Sequence, residues 1–133
     1  MAKYQSVLRD NQISAQNISF TLSGILPETA KFALTGVRPV FHYDENRKRT
    51  DHIEAYIYTV TEMDTLSSFH VRVNSTTPVI TPEELEEAEE RVFLEIPMAE
   101  TVVKPYKLEY GTATVSIVAP YVKLSSPTDS EED

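Results

Sequence analysis

Two neighbouring runs of strict two-residue alternation constrain this chain more than any other feature. In residues 52–58, Ile53, Ala55 and Ile57 alternate with His52, Glu54, Tyr56 and Tyr58. In residues 68–74, Phe69, Val71 and Val73 alternate with Ser68, His70, Arg72 and Asn74. Successive side chains of a strand point to opposite faces, so each run is a half-buried strand with one apolar and one polar side. The short loop Thr61-Glu62-Met63-Asp64-Thr65 between them makes a hairpin. The alternation predicts that Ile53, Ala55 and Ile57 face the core, leaving Tyr56 and Tyr58 outward beside His70 and Arg72.

A third β-rich run, residues 32–43, precedes this hairpin and carries Gly36 at its middle. A bulge at Gly36 would put Phe32, Leu34, Val37 and Phe41 on one inner face and Arg38, Val40 and His42 outside. The polar residues 44–49, with the basic cluster Arg47, Lys48 and Arg49, then read as a turn. Only Thr81-Pro82-Glu83-Glu84 signals a helix start: a threonine N-cap, a proline at the first helical position and a glutamate completing a capping box. That helix is expected to reach about Arg91, with Leu85, Ala88 and Val92 as its apolar stripe. Residues 92–96, 101–108 and 112–118 read as further strands, punctuated by Pro97, Pro105 and Gly111.

The organisation that follows is mainly β. Residues 1–30 form an N-terminal arm with a short alternating stretch, Ile18-Ser19-Phe20-Thr21-Leu22. Residues 31–124 form one five-stranded Greek-key barrel of the OB type, with one short helix between strands three and four. Residues 125–133 form a disordered acidic tail. A length of 133 residues suits one such domain. No apolar run reaches membrane-spanning length, and the N-terminus lacks a signal-peptide layout. With no cysteine, disulfides and thiolate metal sites are excluded, and a cytoplasmic location is expected.

The net charge of −9 argues against a polyanionic partner until its distribution is considered. Residues 82–100 hold eight acids and one base, and residues 128–133 hold four acids and no base. Without these two blocks, nine acids face eleven bases, so the body is weakly basic.

Segments Gly36-Val37-Arg38-Pro39-Val40-Phe41, Thr50-Asp51-His52-Ile53-Glu54-Ala55-Tyr56-Ile57-Tyr58-Thr59-Val60 and Phe69-His70-Val71-Arg72-Val73 resemble OB-fold single-stranded-DNA-binding proteins. The whole chain looks more loosely like small OB-type proteins carried by conjugative plasmids and elements of Gram-positive bacteria. The resemblance spans about two thirds of the chain, residues 32–119, and implies a non-catalytic role in plasmid or phage DNA transfer or replication. The tail is similar to those through which such proteins recruit partners, but lacks their apolar end.

The expected binding surface is the outer face of the second and third strands. Tyr56 and Tyr58 would stack on bases, with Arg38, His70 and Arg72 beside them, because aromatic stacking is tolerant of sequence and cations follow phosphates. Arg47, Lys48 and Arg49 would close one side, and Lys104, Tyr106 and Lys107, with Tyr110 nearby, the other. The expected partner is single-stranded DNA, with RNA left open, and self-association runs through the arm. The rival expectation is a structural or protein-interaction subunit of a phage or conjugation assembly, in which Tyr56 and Tyr58 are buried. Exposed tyrosine rings would favour stacking, and burial would favour the rival.

No catalytic residue, metal or small-molecule cofactor is expected. His42, His52 and His70 have no metal-ligand spacing, no nucleophile-elbow motif occurs, and three glycines cannot build a phosphate-cradling loop.

Overall fold

The computed structural model describes residues 8–14 and 17–125, so the expectations for the start of the arm and for the tail after Ser125 fall outside the described residues. The molecule is mainly β. Strands β1 (Leu8–Arg9) and β2 (Gln12–Ile13) form a two-stranded hairpin of their own. Its turn residues Asp10 and Asn11 both have positive φ, 53° and 62°, the geometry whose twist matches a two-residue hairpin.

The other strands are β3 (Phe20–Thr21), β4 (Phe32–Tyr43), β5 (Arg49–Glu62), β6 (Ser68–Val73), β7 (Phe93–Glu95), β8 (Val102–Glu109), β9 (Thr112–Ala119) and β10 (Lys123–Ser125). They form one mixed sheet in the order β10-β7-β4-β5-β6-β9-β8-β3, open between its two ends. The β6–β9 pair is parallel and the other pairs are antiparallel. The helix α1 (Pro82–Glu87) follows β6. No helix among the described residues is long and apolar enough to cross a membrane.

The bulge expected at Gly36 is present: the β4–β5 register shifts between Leu34 and Gly36. A Cβ at Gly36 would lie 3.4 Å from that of Thr59, so the two backbones approach closely where the strand bends. Beyond the shift Val37 turns inward to join Phe32 and Leu34 in the core. Two further shifts flank Phe41, and such irregularities let a long hairpin curve.

The face assignment of β5 is corrected. Tyr56 pairs with Val73, Tyr58 with Val71 and Val60 with Phe69, so the tyrosines share the apolar face of β6. Tyr56 is 8% exposed and Tyr58 1%. Ile57 instead lies opposite Arg72, and Thr59 opposite His70, on the outer side; Ala55 is buried as expected. The physical reason is visible when the alternation is carried further along the strand. The tyrosine row continues into Val60, whereas the isoleucine row continues into Thr59 and Thr61. Burying two large rings and Val60 removes more apolar surface from water than burying Ile57 and two threonines. The polar end of Tyr58 is accommodated: its hydroxyl accepts the Val79 N–H at 3.1 Å. Burial pushes its pKa above the ordinary phenol range, only partly offset by that hydrogen bond.

The helix is also shorter than expected. Its capping box forms as read, with the Thr81 hydroxyl accepting the Glu84 N–H and the Glu84 carboxylate accepting the Thr81 N–H. It stops at Glu87, with Ala88 already extended, rather than near Arg91. Glu83, Glu86, Glu87 and Glu90 set like charges three or four residues apart, and acids near the C-terminus oppose the helix dipole.

The segment after residue 19 is integrated into the body instead of trailing as an arm. Phe20 and Thr21 pair with β8, and Leu22 is buried with its N–H donating to the Thr101 carbonyl. The strand β10, beside β7, had no counterpart in the sequence reading.

Candidate functional site

The outer face of β4, β5 and β6 can be read row by row from the register. Gly36, Thr59 and His70 form one row, and Arg38, Ile57 and Arg72 the next. His70 Nδ1 lies 2.9 Å from the Thr59 hydroxyl, which fixes the ring on the sheet surface. The Arg72 guanidinium donates through Nε to the Asn74 side-chain oxygen at 2.8 Å. It also reaches the Glu54 carboxylate at 3.5 Å.

Glu54 sits where the register jumps from Val40↔Ala55 to Phe41↔Ile53. The irregularity brings its carboxylate to Arg72 on one side and to His42 Nδ1, 3.4 Å away, on the other. The His52 ring stands edge-on to that of His42 at 6.2 Å. One carboxylate thus occupies the space between an arginine and a histidine. Arg38 is exposed on the same face, with no ion pair among the described residues.

The basic cluster lies on the β4–β5 turn, as expected. The Asp44 carboxylate accepts the backbone N–H groups of Asn46 and Lys48, each at 2.9 Å, and Arg47 adopts φ 63° to complete the loop. Arg47, Lys48 and Arg49 are all exposed, and the Arg49 guanidinium lies 3.8 Å from the centre of the Phe41 ring. Tyr43, at the end of β4, is 59% exposed and adds an aromatic the sequence reading did not select. Asp44, Glu45 and Asp51 surround the same turn, which moderates its positive charge.

Lys104, Tyr106 and Lys107 lie on the β8–β9 hairpin, and all three are exposed. Tyr106 occupies a bulge between Pro105 and Lys107. The turn is Tyr110-Gly111, with φ 47° and 84°. A tyrosine in the left-handed region is uncommon and carries a steric cost, yet its ring is fully exposed and gains no packing in return. Lys107 and Glu109 form a surface pair at 3.2 Å.

Because β9 runs parallel to β6, Tyr110 lies toward the end of the sheet where β5 turns into β6, and the Arg47 turn lies toward the opposite end. The outer face with Arg38, His70 and Arg72 is between them. The structure therefore keeps nine of the eleven sequence-predicted residues on the surface. It removes Tyr56 and Tyr58, the two assigned to stacking. The exposed aromatics on the two long hairpins are instead Tyr43, Tyr106 and Tyr110, while Phe20 and Tyr121 are exposed elsewhere.

A separate cavity of about 420 Å³ is lined by Phe32, Phe93, Leu94 and Met98 together with Glu28, Lys31 and Glu95, and none of the predicted site residues lines it. No group of three or more metal-ligating side chains occurs among the described residues. No protein-family model, curated protein or solved structure matches the chain.

Proposed function

We propose that this chain is a non-catalytic binding module for single-stranded DNA, held largely without regard to sequence, on an open barrel of the OB type. Supporting the barrel reading, the five longest strands follow the order β4-β5-β6-β9-β8, and the helix falls between the third and fourth of them. In OB domains the face of the second and third strands and the turns after the first and fourth strands hold the ligand. Those places correspond here to the outer face of β5 and β6, the Arg47 turn and the Tyr110 turn.

The single observation that carries the proposal is the segregation of side chains. Exposed Tyr106 and Tyr110 interleave with Lys104 and Lys107 on the β8–β9 hairpin, and exposed Tyr43 stands beside the Arg47-Lys48-Arg49 turn on the other, while eight of the acids are gathered in residues 82–100. Stacking on Tyr43, Tyr106 and Tyr110 supplies sequence-tolerant affinity, and Arg38, Arg47, Lys48, Arg49, Arg72, Lys104 and Lys107 attract phosphates. A role in plasmid or phage DNA transfer or replication remains part of this proposal.

The burial of Tyr56 and Tyr58 favours a second reading, a protein-interaction subunit of a phage or conjugation assembly. The β1–β2 hairpin is consistent with an arm that docks on a neighbouring copy, since among the described residues it belongs to no larger sheet. Fluorescence anisotropy with labelled oligo-dT at low and moderate salt separates the two. Salt-sensitive binding, weakened in the Tyr106→Ala/Tyr110→Ala double variant, supports the first reading. A wild-type chain that fails to bind at low salt overturns it.

A further inference from the structure

The β8–β9 hairpin leaves the body as a two-stranded ribbon, and its two edges differ in kind. From residue 106 to residue 116 every residue is exposed, so neither face of the outer part is covered. On one edge, β3 pairs only with Val102 and Val103; on the other, β6 pairs only with Val118 and Ala119. Residues 104–109 and 112–117 therefore each have a side without a neighbouring strand among the described residues.

The β8 edge carries Lys104, Lys107, Glu109, Pro105 and a bulge. Charges, proline and bulges are the devices by which sheets prevent edge-to-edge pairing. The β9 edge has none of them: Thr112, Ala113, Thr114, Val115, Ser116 and Ile117 are uncharged and suited to strands. A free two-stranded ribbon is marginal in water, and a third and fourth strand would stabilise it.

We propose that the β9 edge pairs antiparallel with the same edge of a second copy, about a two-fold axis near Thr114. The occupant is a second copy because an uncharged edge is self-complementary: pairing it with itself juxtaposes no like charges. The register also decides what such pairing does to the faces. Leu108 lies opposite Ala113 and the buried Pro105 opposite Val115, so that Leu108, Ala113 and Val115 extend the core face outward as an exposed apolar strip. Lys107 lies opposite Thr114 and Lys104 opposite Ser116 on the other face. A two-fold axis perpendicular to the sheet keeps the faces in register. The apolar strips of both copies then adjoin, and the lysines of both copies share the opposite face. The pairing stands whether or not that lysine face binds nucleic acid.

The chain has no cysteine, so a single introduced thiol reports the contact without interference. Directly opposed residues of an antiparallel pair have Cα atoms about 4.5–5.5 Å apart, within disulfide reach. Thr114→Cys in the full chain is expected to give a cross-linked dimer on oxidation. Lys107→Cys should not, because two Lys107 positions would be separated by three strand spacings, about 14 Å. Sedimentation velocity should show a wild-type dimer and a Thr114→Lys monomer with an unchanged circular-dichroism spectrum. The proposal is overturned by a wild-type monomer at every accessible concentration, by a dimer that survives Thr114→Lys, or by equal cross-linking at positions 107 and 114.

Discussion

The β4–β5–β6 body and the β8–β9 ribbon are built from similar residues and treat them oppositely. Each contains tyrosines set among β-branched residues and cations. In the body, Tyr56 and Tyr58 are buried and the outer face is ordered by short polar contacts such as Thr59–His70 and Arg72–Asn74. In the ribbon, Tyr106 and Tyr110 stand in solvent, and Tyr110 accepts an unfavourable backbone conformation to do so. A strand tyrosine is thus a core residue when strands on both sides offer an apolar row, and a surface residue when there is no third layer to enter. Function in this protein is to be sought where the aromatic has no packing role.

The largest effect expected from that contrast is at Tyr58. Tyr58→Ala should destabilise the fold by about 3–5 kcal/mol, as large-to-small changes of buried aromatics do, measurable by urea unfolding. Tyr58→Phe keeps the ring but removes the acceptor of the Val79 N–H, costing about 1 kcal/mol. A Tyr58→Ala chain of near wild-type stability would break the comparison from the body side.

On the ribbon the same truncation should leave stability within about 0.5 kcal/mol of wild type. Each of Tyr106→Ala and Tyr110→Ala should instead weaken oligo-dT binding by about 1–3 kcal/mol, read by anisotropy. Tyr110→Asn is sharper still. Asparagine tolerates the left-handed turn, so melting temperature should hold or rise while affinity falls. Loss of stability without loss of affinity would move the ligand off the ribbon.

Acid sensitivity belongs to the body. Glu62 is buried, and its carboxylate accepts the Asp64 N–H, with the Thr65 N–H and hydroxyl in addition, closing the β5–β6 turn. These hydrogen bonds, that from Asp64 first, hold its pKa below the ordinary carboxylate range despite burial. A depressed folded-state pKa means stabilisation that is present above the unfolded-state pKa and is lost as pH falls through the folded one. Thermal melts of wild type should therefore drop as pH falls below about 4.3, the ordinary glutamate value, and Glu62→Gln should flatten that part of the profile. Parallel profiles for the two proteins would exclude Glu62 as the source.

The smallest effect is expected at Glu54. Its carboxylate sits between Arg72 and His42, on the face proposed for phosphates. Glu54→Gln should strengthen oligo-dT binding by a few-fold, an exposed pair being worth about 0–1 kcal/mol. An unchanged or weaker affinity would show that Arg72 is held for the sheet and not for a ligand.

Much of the candidate site was legible because it rests on local chemistry. Arg47-Lys48-Arg49 reads as a turn after Asp44, and Pro105, Tyr110 and Gly111 mark the ribbon's bend and tip. Arg38, His70 and Arg72 were correctly placed outward because each is polar within its own alternation. Tyr56 and Tyr58 were misplaced because both faces of β5 are apolar around residue 57. The two rows separate only further along, into Val60 on one side and Thr59 and Thr61 on the other, and in the apolar row of β6 that the tyrosines meet. Exposed Tyr43 had a signal in its position against the polar turn; the strained geometry at Tyr110 had none beyond the glycine after it.

By itself the sequence determined that the chain is mainly β, that the strand bends at Gly36, and that one capped helix begins at Thr81. These follow from steric and hydrogen-bonding preferences within a few residues. Tertiary structure decided that eight strands of the described residues share one sheet, that Phe20–Thr21 joins it, and which face of β5 is buried. Those outcomes depend on which rows meet across the sheet, and burial is a property of the meeting rather than of either strand alone.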